Sequence, residues 1–279
     1  MVVRWTVDWA GSQVMRGTLG VPVVDLMADG EVFPIASSHD WDTTGRPTVV
    51  AYIDETGHEE FADPTHPVFG FGGCASFNDC IEQDIQVPWL AMKDAYFGGR
   101  AVPLHAAELR SPSSTQIDAI DQFFRKHDFF RFANVARASL VNDSPITTFH
   151  GLLAGTLRLL GQMTRSRPES QVLLLIEDSI RTRRQLVRFV EGDQGASINA
   201  GRESVVPIRV ASYTKAAVDA ASEVADFVAH TAGLKLKKAD GMQWPDRKDY
   251  DSVFRSRRQD MALFQETRWI GGRFKSKDA

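Results

Sequence analysis

Two short segments of this chain run apolar and then stop on carboxylates. Val49-Val50-Ala51-Tyr52-Ile53 leads into Asp54-Glu55-Thr56-Gly57, and Val172-Leu173-Leu174-Leu175-Ile176 leads into Glu177-Asp178. Acidic side chains are depleted from strands and costly to bury without a partner. An acid delivered by a buried strand therefore begins a polar turn, accepting backbone N–H bonds, or faces a cation. Carboxylate oxygens suit hard divalent ions, whereas Cys and His suit softer ones.

A third group of acids lies on a helical pattern from Lys215 to Leu236. Asp219, Glu223, Asp226 and His230 fall at i, i+4, i+7 and i+11, on one face, while Ala217, Val218, Ala221, Val224, Ala225 and Val228 make the apolar side. That face is either a solvated stripe or the third wall of a site to which Asp54 and Glu177 or Asp178 also contribute. Arg181, Arg184 and Arg188, at i, i+3 and i+7, directly follow the second pair of acids, with Arg183 beside them. They form either a solvated helix face or a grip for a phosphate backbone next to the carboxylates.

Periodicity supplies the elements that must position these groups. The strand ending at Asp54, a Pro/His/Asp loop from His58 to Pro67 and the apolar run Val68–Cys74 read as a hairpin with a loop of about ten residues. Residues 77–96 and 114–127 show helical spacing, the second with Ile117, Ile120, Phe123 and Phe124 on one face and Ser113 or Ser114 as a cap. A strand over 132–141, a helix over 148–165, the strand ending at Glu177, a short helix over 182–191, a strand over 205–210 and the helix over 215–236 complete the pattern. Strand–helix alternation in the second half implies parallel pairing in a mixed sheet of about five strands flanked by helices. Two adjacent parallel strands ending in acids would put both at one sheet edge, where open sheets build sites.

Composition limits the alternatives. The 279 residues are 43% hydrophobic, with no apolar run near the ~20 residues needed to cross a bilayer and no amino-terminal signal pattern. These features predict a soluble, cytoplasmic protein without a membrane partner. Cys74 and Cys80 are too few for a disulfide framework. The net charge of −4 is uneven: twelve Lys and Arg against seven Asp and Glu over 235–279 leave that stretch basic and the body acidic. Residues 1–46 read as an extension of short extended pieces, including Val2–Trp9 and Gly20–Leu26. Residues 239–279 read as a basic tail whose six aromatic rings, Trp244 to Phe274, need something to pack on.

The segment Tyr52-Ile53-Asp54-Glu55-Thr56-Gly57 resembles the Tyr-Ile-Asp-Glu-Ser-Gly opening of the prokaryotic family catalogued as domain of unknown function 3800. Phe69-Gly70-Phe71-Gly72-Gly73 is similar to that family's second strand, His105-Ala106-Ala107-Glu108-Leu109 to its His- or Lys-containing segment before an acid, and Val224-Ala225-Asp226-Phe227-Val228-Ala229 to its carboxy-terminal Ala-Asp helix. The resemblance spans residues 48 to 236. It implies an α/β, RNase H-like three-layer fold over 47–238, with a helical insertion at about 77–127. It also implies a carboxylate cluster binding two Mg²⁺ or Mn²⁺ ions that hydrolyse nucleic-acid phosphodiester bonds. Carried onto this chain, Asp54 is the first-strand ligand, Asp226 the last-helix ligand and Glu177 the fourth-strand ligand, with Asp178 as its rival. Glu55 or Glu108 would complete the shell, and His230 would shuttle a proton. The chain departs from the family at Thr56, where Ser is usual, and at Glu177, where Asp is more typical.

Two other readings stay open. An interaction or regulatory module would keep the same fold and acids without catalysis. A zinc hydrolase would draw on His58, His66, Cys74 and Cys80, which surround one hairpin at irregular spacing. RNA versus DNA, and self-association into a homo-oligomer, are not decided by any motif.

Overall fold

The hairpin that delivers Asp54 is built as its sequence predicts. Strand β3 (Thr48–Gly57) pairs antiparallel with β4 (Val68–Phe77), Asp54 opposite Gly72, and residues 58–67 form the connecting loop. A computed structural model describes residues 23–26, 32–35, 47–141, 144–164, 167, 169–177, 179, 181–182, 185, 208–213, 219–242, 250–256, 258, 261–270 and 273–278. Strand β5 (Phe130–Arg137) continues antiparallel beyond β4, while β6 (Gln171–Glu177) lies parallel to β3 and β7 (Ile208–Tyr213) parallel to β6. The central order is thus β7-β6-β3-β4-β5, with β3 in the middle.

The sheet is wider than the expected five strands. Two four-residue strands, β1 (Val23–Leu26) and β2 (Val32–Ile35), extend it antiparallel beyond β7. At the other edge β8 (Ala262–Ile270) pairs parallel with β5 and antiparallel with β9 (Arg273–Asp278). Much of the expected tail is therefore sheet. Three of its rings pack: Phe254 meets Phe264 at 5.4 Å, and Tyr250 meets Phe227 at 4.9 Å.

Four helices cover the described sheet. Helix α1 (Val87–Tyr96) follows a single π-helical turn, and α2 (Ser114–Lys126) starts at a capping box formed by Ser113 and Gln116. Helix α3 (Pro145–Met163) begins three residues earlier than the apolar spacing suggests, because Ser144 caps it and Pro145 suits its first turn. Helix α4 (Ala220–Ala239) begins five residues later, at the cap residue Asp219. The expected strand Val2–Trp9 lies outside the described residues, as does most of the expected helix over 182–191.

Side-chain alternation sorts the sheet into two faces. Val49, Ala51, Ile53, Val172, Leu174 and Ile176 pack with α3, and Val50, Tyr52, Leu173 and Leu175 pack with α4, α1 and α2. Each fully buried α3 leucine, such as Leu152 or Leu157, contributes roughly 1.5–3 kcal/mol through burial. Helix α4 lies directly on the hairpin. A Cβ at Gly72 would overlap the Ala229 backbone, and one at Gly233 would overlap the Thr56 hydroxyl. The turn from Ala229 to Gly233 consequently lies over the carboxyl end of β3 and its partner Gly72. Among the described residues, no helix is long and apolar enough to cross a membrane.

Candidate active site

Register brings the two strand-terminal acids together. The parallel β3–β6 pairing runs through Ile53 opposite Ile176, so the next residues, Asp54 and Glu177, stand side by side on strands ~4.8 Å apart. By the same alternation both belong to the α4 face, and Glu55 to the α3 face. Asp54 Oδ1 accepts the Glu55 N–H at 2.8 Å, but residues 54–57 continue in β3, so no polar turn begins at Asp54.

An open cleft of about 220 Å³ lies at these strand ends, lined by Asp54, Glu55, Glu177, Ser179, Arg181 and Thr182 among others. Arg181 spans two carboxylates: one nitrogen, Nη2, contacts Glu55 and the other, Nη1, donates to Glu59 Oε2 at 2.6 Å. Thr182 Oγ1 donates to the second Glu55 oxygen at 3.0 Å and accepts from Ser179 Oγ at 2.7 Å. Burial draws the Arg181 pKa below its ordinary value. Arg183, Arg184, Arg188 and Asp178 lie outside the described residues.

Asp226 is engaged elsewhere. Its Oδ2 accepts the Ala106 N–H at 2.7 Å and faces His105 Nδ1 at 3.8 Å. The neighbouring Glu223 is buried and accepts from Trp89 Nε1 at 2.6 Å, Lys93 Nζ at 2.7 Å and the Leu104 N–H at 2.9 Å. Asp219 caps α4 through the Ala221 N–H at 2.9 Å and also takes the Tyr52 hydroxyl. Burial, with the Glu223 charge adding, raises the Asp219 pKa to about 6. The acidic face of the helix is thus turned largely inward, correcting the solvated-stripe alternative. It ties α4 to α1 and to the segment 104–106.

The expected carboxylate cluster is consequently smaller than the sequence suggested. Among the described residues, no three His, Cys, Asp or Glu side chains stand close enough to hold a metal ion together. Asp226 does not complete a group with Asp54 and Glu177 among the described residues; its Oδ2 instead accepts a backbone amide. Glu108 is exposed in the turn after His105, and His230 lies half-buried one turn beyond Asp226. The zinc set is also dispersed. Cys74 is buried with its thiol donating to Ala221 O, His58 faces Glu59, and His66 contacts Lys237. Burial raises both thiol pKa values, Cys74 well above the ordinary value, which disfavours the thiolate that zinc requires.

No periodicity marks Glu59 or Lys93. The sequence signal for Glu223 was its position: apolar residues flank the acidic stripe on both sides, leaving the helix little face to give to water. The fold and cleft define an α/β protein with a mixed sheet and an acidic pocket at the carboxyl ends of two adjacent parallel strands. Comparison with known proteins adds nothing to that class: no family model, no curated protein and no solved structure matches the chain.

Proposed function

We propose that this chain is a divalent-metal-dependent nuclease or phosphodiesterase on an RNase H-like fold. The observation that carries the reading is the side-by-side placement of Asp54 and Glu177 at the ends of adjacent central strands, opening on a cleft. The mixed sheet, with antiparallel β4 and β5 on one side of β3 and parallel β6 and β7 on the other, is the kind that the family resemblance implies.

The donor set fits a hard cation. Asp54 and Glu177 offer oxygen ligands only, and they would hold Mg²⁺ or Mn²⁺ between them. Such an ion, when bound, supplies charge neutralisation for a phosphodiester and activation of water. Among the described residues the cleft carries three carboxylates, Asp54, Glu55 and Glu177, and one guanidinium, Arg181, and a divalent cation bound there would offset charge that otherwise opposes a phosphate backbone. Arg181 supplies N–H donors lining the same cleft, while the Thr182 hydroxyl is committed to Glu55.

Purified protein should cleave labelled RNA or DNA oligonucleotides when Mn²⁺ or Mg²⁺ is added. Asp54→Asn should lower the rate at least about a hundredfold, as loss of a group acting on the transition state does, without disturbing the circular dichroism spectrum. Activity equal to that of the unsubstituted chain would remove the basis of the proposal. A second reading, a non-catalytic interaction module, is favoured by one observation: Arg181 is already paired with Glu55 of the cleft and with the enclosed Glu59. Calorimetric titration decides between them, since absence of Mn²⁺ binding at millimolar concentration supports the module.

A further inference from the structure

We propose that Arg181 is a phosphate-oxygen ligand of the cleft, fixed in place by Glu59 and contested by Glu55. The identity of the phosphate, a nucleic-acid backbone, rests on the nuclease reading above. The competition itself follows from how differently the two carboxylates are held.

Glu59 is nearly enclosed, its side chain 4% exposed, and its cationic partner is Arg181 at 2.6 Å, with His58 Nδ1 3.5 Å away. A buried carboxylate deprived of its cation is strongly unfavourable. Arg181 therefore stays with Glu59, which positions the guanidinium through Nη1. Glu55 is in a different situation. It lines the cleft, is 12% exposed, and keeps a hydrogen bond from Thr182 Oγ1 if it releases Arg181. Its bond to the guanidinium is the one that can be exchanged.

The exposed edge is also the useful one. Arg181 is 32% exposed and lines the same cleft as Asp54 and Glu177. A planar guanidinium can hold Glu59 through Nη1 while Nη2 donates to a phosphate oxygen, two partners in fixed directions that a lysine ammonium does not hold in the same way. A phosphate arriving at the strand ends would replace the Glu55 carboxylate on Nη2. Glu55 thereby sets a threshold, because an incoming anion must outcompete a carboxylate already in place. Removing that charge lowers the threshold, whereas removing the Glu59 anchor releases the guanidinium from its geometry.

The test measures binding rather than turnover. Fluorescence anisotropy with short labelled single-stranded DNA, and with its RNA counterpart, is read in Ca²⁺ and in chelator across a salt series. Glu55→Gln should tighten binding about threefold to tenfold, and Arg181→Gln should weaken it at least about tenfold and lower the salt slope by about one phosphate. Glu59→Gln should weaken binding with the same loss of slope, which a merely structural role would not produce. Arg181→Lys, which keeps the charge and loses the fork, should fall between. The double variant Glu55→Gln/Arg181→Gln should bind no tighter than Arg181→Gln alone, since the two residues act through one contact.

Unchanged or weaker binding by Glu55→Gln overturns the proposal. So does a folded Arg181→Gln or Arg181→Lys protein that binds like the unsubstituted chain. The expected binding pattern without cleavage under any metal would sink the hydrolase reading and leave this inference standing. Metal-dependent cleavage that ignores Arg181 would do the reverse, and no binding of either oligonucleotide defeats both.

Discussion

Glu223 and Glu59 are both enclosed carboxylates, each neutralised by a cation more than a hundred residues away, and yet they sit in regions built for opposite ends. Around Glu223 every partner is interior: the Lys93 side chain is 0% exposed, and Trp89 Nε1 and the Leu104 amide fill the remaining positions. Around Glu59 the cation is half-buried, and its other edge opens on the cleft through Glu55. A saturated cluster of this kind locks α1 and the segment after it onto α4. A cluster with one exposed donor edge can exchange a partner. The distinction lies in which hydrogen bonds remain available once the pair has formed.

Breaking the interior cluster should have the largest effect on stability. Lys93→Met leaves Glu223 buried without a cation, and such a loss costs about 3–5 kcal/mol; urea denaturation reads it as a fall in midpoint. Adding Glu223→Leu should recover part of the loss, because the stranded charge disappears. Recovery is incomplete, since Trp89 Nε1 and the Leu104 amide then lack an acceptor. A double variant as unstable as the sum of the two single variants would show that the pair is not coupled.

This contrast also explains which parts of the molecule were legible in the sequence. Strands β3, β4 and β6 announce themselves as apolar runs, and α3 and α4 as apolar stripes, because each buries one continuous surface. Strands β8 and β9 mix charged and apolar residues, Ala262-Leu263-Phe264-Gln265-Glu266 for one and Arg273-Phe274-Lys275-Ser276-Lys277 for the other. In β9, the edge strand, that composition is tolerated, and both segments read as a tail. In the site, Asp54 and Glu177 were visible because each ends an apolar run, and parallel pairing makes those ends neighbours. Arg181 was visible by following the second pair of acids. The partnerships Arg181–Glu59 and Lys93–Glu223 join residues 122 and 130 positions apart, and only the folded topology pairs them. Asp226 was placed on the correct helix, but its carboxylate goes to the Ala106 amide, a backbone donor that no side-chain pattern marks.

The interior region should also differ from the cleft in its response to pH. Asp219 caps α4 within reach of the Glu223 charge, and its folded pKa is raised to about 6 from an ordinary value near 3.8. The folded protein then holds this proton at a pH where the unfolded chain has released it. Stability contributed by the protonated form is present below about pH 4 and is lost as pH rises to about 6. Asp219→Asn keeps a side-chain oxygen for the Ala221 amide. The difference in unfolding free energy between the two proteins should therefore grow in favour of Asn from pH 4 to pH 6 and stay constant above it. A difference that is flat across that window would show that Asp219 titrates normally.

A smaller change belongs to the cleft. Glu55→Gln removes the charge facing Arg181 but keeps an amide oxygen for the Thr182 hydroxyl, and Arg181 retains Glu59 as its counter-ion. The contact replaced borders solvent, where an ion pair is worth less than about 1 kcal/mol and weakens with salt. Denaturation midpoints at low and moderate salt should accordingly differ little from those of the unsubstituted chain, and the difference should shrink as salt rises. A salt-insensitive loss of about 3 kcal/mol or more would place Glu55 in the same class as Glu223. Arg181 would then be committed to the fold on both edges, with no donor left to offer an incoming phosphate.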